Sequence, residues 1–76
     1  MEYDVEGWTF CGTYLREDDG WKVIKSFWKK DGEYRVLIYR RCKLGGLGNS
    51  VKGKDKRFTD KSEANKEVEG MRCLLR

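Results

Sequence analysis

Asp31-Gly32 constrains this chain more than any other pair of residues, because it divides the stretch WKVIKSFWKKDGEYRVLIYRRC, residues 21–42, into two equal halves. Asp-Gly suits a two-residue hairpin turn, which needs positive φ at its central positions. The halves are rich in aromatic and β-branched residues, as strands prefer. Such a turn sets the register. On one face Lys30 stands opposite Glu33, Trp28 opposite Arg35, Ser26 opposite Leu37, Ile24 opposite Tyr39 and Lys22 opposite Arg41. On the other, Lys29 meets Tyr34, Phe27 meets Val36, Lys25 meets Ile38, Val23 meets Arg40 and Trp21 meets Cys42. The second face is the more apolar and is assigned to the core. A slip of one residue would exchange the faces, so the reading of every other segment depends on this turn.

The chain has 76 residues, enough for one small domain. At this size folding buries only roughly 60–65% of the surface that the unfolded chain exposes, so a thin core is expected. Ten aromatic residues offset this, since each buries a large area. Cys11, Cys42 and Cys73 are widely spaced and there is no histidine, which leaves too few ligands for a structural zinc site. No metal or cofactor is expected, and free thiols fit a reducing, cytoplasmic setting. No apolar run reaches membrane-spanning length, and residues 1–20 are acidic rather than leader-like.

Catalysis finds little support. Without histidine, a general base would have to be a carboxylate, lysine or thiol of strongly shifted pKa. Glu17, Asp18 and Asp19 cluster at a turn where water solvates them, and Cys11 and Cys42 fall on predicted strands. A non-enzymatic protein is expected. The Gly-rich segment GGLGNSVKGK has neither the GxxxxGK[ST] nor the GxGxxG spacing of a phosphate loop.

The net charge of +4 hides an asymmetry. Residues 1–20 hold one basic and six acidic side chains; residues 21–61 hold thirteen basic and four acidic. A middle segment of net +9 favours an anionic partner.

Along the chain, residues 1–7 alternate weakly and fit a short edge strand or a frayed terminus. Trp8 to Leu15 alternates as a strand, with Trp8, Phe10, Gly12 and Tyr14 on one side. Glu17 to Gly20 follows as a turn, so the first three strands form a meander. Residues 43–57 read as a basic, Gly-rich loop. From Phe58 the period becomes helical, with Ala64, Val68 and Met71 on one stripe. Asp60 with Glu63 fits a capping box, Thr59 being the other candidate cap. The expected helix runs from about Lys61 to Met71, with Gly70 as a place where it can end. The fold expected is therefore α+β: an antiparallel meander of three to four strands packed on one C-terminal helix.

The first face of the hairpin interleaves cations with stackable rings. Phosphates attract the former, while bases and sugars pack on the latter. The expected nucleic-acid-binding set is Lys22, Trp28, Lys30, Arg35, Tyr39 and Arg41, with Lys52, Lys54, Lys56 and Arg57 as a second cluster. A rival reading has the N-terminal segment simply covering these aromatics.

The strand EYRVLIYRR, the basic loop and the segment KRFTDKSEANKEV resemble the small domain with which tyrosine integrases hold arm-type DNA sites. They are similar, too, to the plant ethylene-response-factor domain. Over residues 21–71 the resemblance implies a three-stranded sheet backed by one helix, with the sheet laid in the major groove of DNA. Lys22, Trp28, Arg35, Tyr39 and Arg41 would then face the DNA. The chain stops at Arg76 without a catalytic domain, so a stand-alone binder is implied. KSEANKEVEGMRCLL also resembles the last helix of double-stranded-RNA-binding domains, although those begin with a helix where residues 8–15 read as strand. In the competing class, size and charge resemble the small inhibitors or adaptors that phages direct at host proteins and defence complexes. The contact would then be either the acidic residues Glu2–Glu6 and Glu17–Asp19 or the basic face, competing for the acidic partner of a nucleic-acid groove. DNA or RNA is the expected partner, a protein target the alternative.

Overall fold

The computed structural model describes residues 4–18, 21–42 and 53–74. Five strands and one helix follow in the order β1 (Thr9–Asp18), β2 (Trp21–Lys30), β3 (Glu33–Cys42), β4 (Lys54–Phe58), α1 (Lys61–Lys66) and β5 (Arg72–Cys73). The strands form one antiparallel sheet in the spatial order β4-β3-β2-β1-β5. The architecture is α+β, a meander packed on a C-terminal helix, as the periodicities imply.

The hairpin of β2 and β3 is the centre of the sheet, and all ten of its pairs match the register set by Asp31-Gly32. Gly32 has φ 69°, the left-handed conformation that a side chain would strain. Val23, Phe27, Val36 and Ile38 point to one face and form the core with Ala64 of α1. Tyr14, Tyr34, Phe58, Val68 and Met71 pack around them, with Phe27 edge-on to Tyr34 at 6.1 Å. The hydrophobic gain is concentrated under the helix, where Val36 and Ala64 are fully buried.

Three features depart from expectation. The register of β1 against β2 shifts between Phe10 and Gly12, leaving Cys11 as the extra residue of a β-bulge. Phe10 consequently pairs with Trp28 on one face while Gly12 and Tyr14 pair with Phe27 and Lys25 on the other. Strict alternation had put Phe10 and Tyr14 together. Residues 54–57, expected within the loop, belong to β4, which pairs from Tyr34↔Phe58 to Ile38↔Lys54. Its lysines, arginine and aspartate suit an edge strand, where charge discourages further pairing. The rest of that expected loop, 43–52, and the turn positions 19–20 lie outside the described residues.

The helix is the third correction. Asp60 caps it, with φ −110° and its Oδ1 accepting the Ser62 N–H at 2.9 Å. It ends at Lys66 rather than near Met71. Beyond it the chain tightens into three-residue turns: Glu67 N–H donates to Ala64 O, Val68 N–H to Asn65 O and Met71 N–H to Val68 O. Gly70, at φ 80°, then reverses the chain into β5, and Leu74 N–H donates to Thr13 O at 2.8 Å. Val68 and Met71 still reach the core, so the apolar stripe was read correctly although its backbone was not. A six-residue helix is roughly 9 Å long, against roughly 33 Å for a ten-residue strand. It covers one end of the sheet only.

Candidate functional site

The two faces of the sheet treat their cations differently. On the face away from the helix, Arg35 is only 3% exposed although it is charged. Its Nε and Nη2 donate to the two carboxylate oxygens of Asp55 at 2.9 and 2.7 Å, and its Nη1 donates to the Asp4 carbonyl. Asp55 reaches it because β4 pairs Asp55 with Leu37 and Arg57 with Arg35 itself. The bidentate guanidinium holds the Asp55 carboxyl below the usual carboxylate range despite its partial burial. The same pairing raises the Arg35 pKa. Trp8 lies over this pair, its ring centroid 5.4 Å from Arg35, 5.6 Å from Lys30 Nζ and 5.7 Å from Arg57. Residues 4–8 thus strap the outer face, held by a turn in which Trp8 N–H donates to Val5 O.

This arrangement bears on the expectation for Arg35. A guanidinium that is buried and bonded through all three nitrogens cannot reach a phosphate without breaking the Asp55 pair. Trp28 is half-buried and edge-on to Phe10 at 5.0 Å. It is a packing residue, with its Nε1 buried and lacking a hydrogen-bond partner. Lys30 and Arg57 are exposed but engaged with Trp8, and Arg57 also stands 3.8 Å from Asp55. Tyr39 is half-buried beside Ile24, and Lys22 is exposed opposite Glu17. The side chain of Arg41 and the whole of Lys52 lie outside the described residues.

Lys54 and Lys56 fall on the opposite face, because alternation along β4 turns them toward the helix side. There they join three residues that sequence reasoning had not singled out. Arg16 of β1, Lys25 of β2, Arg40 of β3 and Lys54 and Lys56 of β4 line one open cleft of about 430 Å³. Beneath it lie Val23 and Ile38, buried core residues beyond the end of α1. Glu67, in the turn after the helix, is the one carboxylate among the described residues of its lining. It accepts from Lys25 at 3.5 Å and Lys56 at 3.4 Å, while its carbonyl oxygen takes the Lys25 Nζ at 2.5 Å. Among the described residues, five cations and one acid line the cleft.

A signal for this cleft was present. Lys25 and Arg40 occupy core-face positions opposite Ile38 and Val23, and cations are seldom placed on a face that is to be fully covered. Trp21 continues the same face beyond the cleft; it is 43% exposed, with the Arg40 guanidinium 6.0 Å from its ring centroid.

Burial pushes the Tyr14 phenol up, and the neighbouring Cys73 and Cys11 thiols add to the effect. Cys11 and Cys73 are exposed free thiols. Among the described residues no group of three Cys, Asp or Glu side chains could hold a metal ion, and no helix is long and apolar enough to cross a membrane. Comparison of the chain with family models, curated proteins and solved structures gives no match.

Proposed function

We propose that this protein is a non-enzymatic nucleic-acid-binding domain whose phosphate contacts lie in the cationic cleft beside the helix. The observation that carries the reading is the convergence of Arg16, Lys25, Arg40, Lys54 and Lys56, from four adjacent strands, on one cleft with a single carboxylate among the described residues. Like charges held this close repel one another, and a bound polyanion removes that cost while releasing its counterions. The sheet supplies rigid positions for the cations, which lowers the entropy lost on binding.

An alternative docking mode lays the outer face of the hairpin in a DNA groove, as the integrase resemblance implies. It is less well supported, because Arg35 is consumed by Asp55 and Trp8 stands over the cations of that end. Fluorescence anisotropy with labelled single-stranded DNA, duplex DNA and duplex RNA at two salt concentrations tests both modes. Contact with three to four phosphates gives a salt slope of roughly −2 to −3. Arg40→Glu and Lys54→Glu should each weaken binding at least about tenfold and reduce the slope by about one. Arg57→Glu, on the outer face, should have a much smaller effect. If the two cleft reversals leave affinity unchanged while Arg57→Glu abolishes it, the outer-face mode is correct. Absence of any nucleic-acid binding at low salt would instead favour a protein-directed inhibitor or adaptor.

A further inference from the structure

We infer that the cleft takes single-stranded nucleic acid, with Trp21 stacking on a base next to the phosphate contacts; this rests on the cleft being the anion site. Three observations carry it. First, the cations surround a half-open recess above the Val23 and Ile38 end of the core. The phosphates of a duplex are fixed on a stiff cylinder and would meet the rim alone. A flexible strand can follow the recess, setting phosphates against Arg16, Arg40 and Lys54 while a sugar or base packs against the aliphatic stems of its cations. Secondly, Trp21 is one of three large apolar side chains left open to solvent among the described residues, 43% exposed, and it continues the cleft-bearing face. Thirdly, Arg40 joins the two parts, for it lines the cleft and also stands over the Trp21 ring at 6.0 Å.

An indole beside an arginine-lined groove is the pairing that single-strand binders use. The arginine neutralises the backbone while the ring offers a π-face to a base of any kind. Arg40 also restrains the indole before binding, so less rotamer freedom is lost when a base stacks. The recognition is expected to tolerate sequence, since neither the ring nor the cations read the edges of the bases.

The experiment compares two labelled probes of equal length, a deoxythymidine oligomer and an abasic oligomer with the same phosphates but no bases. The wild-type chain should bind the thymidine oligomer about tenfold more tightly than the abasic one, the size expected for one stacked base. Trp21→Ala should remove that difference, bringing the two affinities together without altering the salt slope. Trp21→Phe should restore most of it, and duplex DNA should bind more weakly than the thymidine oligomer. Equal wild-type affinity for the two oligomers, or a base-dependent gain that survives Trp21→Ala, overturns the stacking inference while leaving the cleft as a phosphate site. Lys54→Glu with no effect on either probe overturns the cleft itself, and the stacking inference with it. Because Trp21 lies outside the packed core, its variants should keep the wild-type denaturation midpoint, and a loss of folding cannot imitate the expected result.

Discussion

The two faces of this sheet carry similar side chains to opposite ends. Arg35, Arg57, Lys30, Trp8 and Trp28 crowd the outer face, and Arg16, Lys25, Arg40, Lys54, Lys56 and Trp21 the helix-bearing one. On the outer face the charge is answered within the protein: Asp55 occupies Arg35 through two hydrogen bonds, and the Trp8 ring lies against three cations. In the cleft Glu67 is one carboxylate among five cations. Cations alternating with aromatics are therefore not enough to identify a binding face. What sets the outer face apart is the buried bidentate pair of Arg35 with Asp55, and that depends on a pairing distant in sequence.

The largest effect should come from opening the closed face. Arg35→Ala removes the partner of Asp55 and the donor to the Asp4 carbonyl, so the strap loses its anchor. A loss of about 3 kcal/mol in unfolding free energy is expected, the size associated with breaking a buried ion pair. Urea denaturation would measure it as a lower midpoint. The pair also gives a dependence on pH. Because the Asp55 carboxyl titrates lower in the folded state, its contribution is present above the unfolded value of about 3.9 and is lost as pH falls through the folded pKa. The stability gap between the wild-type chain and Asp55→Asn should stay constant from neutral pH down to about pH 5 and shrink below about pH 4. A gap that persists undiminished at pH 3 would mean that Asp55 acts by some means other than its charge.

How far these faces could be read from the sequence follows from the range of the signals. The β2–β3 register was legible because Asp31-Gly32 sets it locally, and the core face followed from alternation of Val23, Phe27, Val36 and Ile38. Asp60 was legible as a cap for the same reason. The bulge at Cys11 was not, since an inserted residue leaves no local mark, and without it Phe10 falls on the wrong face. KDKRF carries no apolar alternation, so β4 looked like loop, and the Arg35–Asp55 pair that β4 brings about was hidden with it. The cleft was missed because its existence depends on where α1 stops. Ala64, Val68 and Met71 give the same apolar stripe whether the backbone stays helical or tightens after Lys66.

A smaller effect tests that shortening. Gly70 sits at φ 80°, with open space where a Cβ would be, so Gly70→Ala changes backbone preference without a clash. A cost of about 1 kcal/mol in unfolding free energy is expected, from strain in the left-handed region. Should the substitution prove neutral or stabilising, the turn into β5 would have to relax easily toward a longer helix. Such a helix would extend over the cleft, and anion affinity should then fall together with the change.

The smallest effect on stability is expected where the comparison is most exposed to test. Glu67→Gln leaves the backbone carbonyl that accepts from Lys25 and removes only the negative charge that Lys25 and Lys56 share. Both ion pairs are long, 3.5 and 3.4 Å, and Lys56 is largely exposed, so stability should change by no more than about 0.5 kcal/mol. Anion affinity should nevertheless rise, by about threefold at low salt, because Lys56 becomes available, Lys25 loses its counter-charge and the carboxylate no longer repels phosphate. The salt slope should steepen in parallel. The equivalent change on the closed face, Asp55→Asn, should lower stability and leave anion affinity where it was. If the two substitutions instead raised affinity alike, the buried Arg35–Asp55 pair would not be what separates the faces. If neither did, Glu67 would be neutralising its lysines no more effectively than water does, and the positive character of the cleft would rest on Arg16, Arg40 and Lys54.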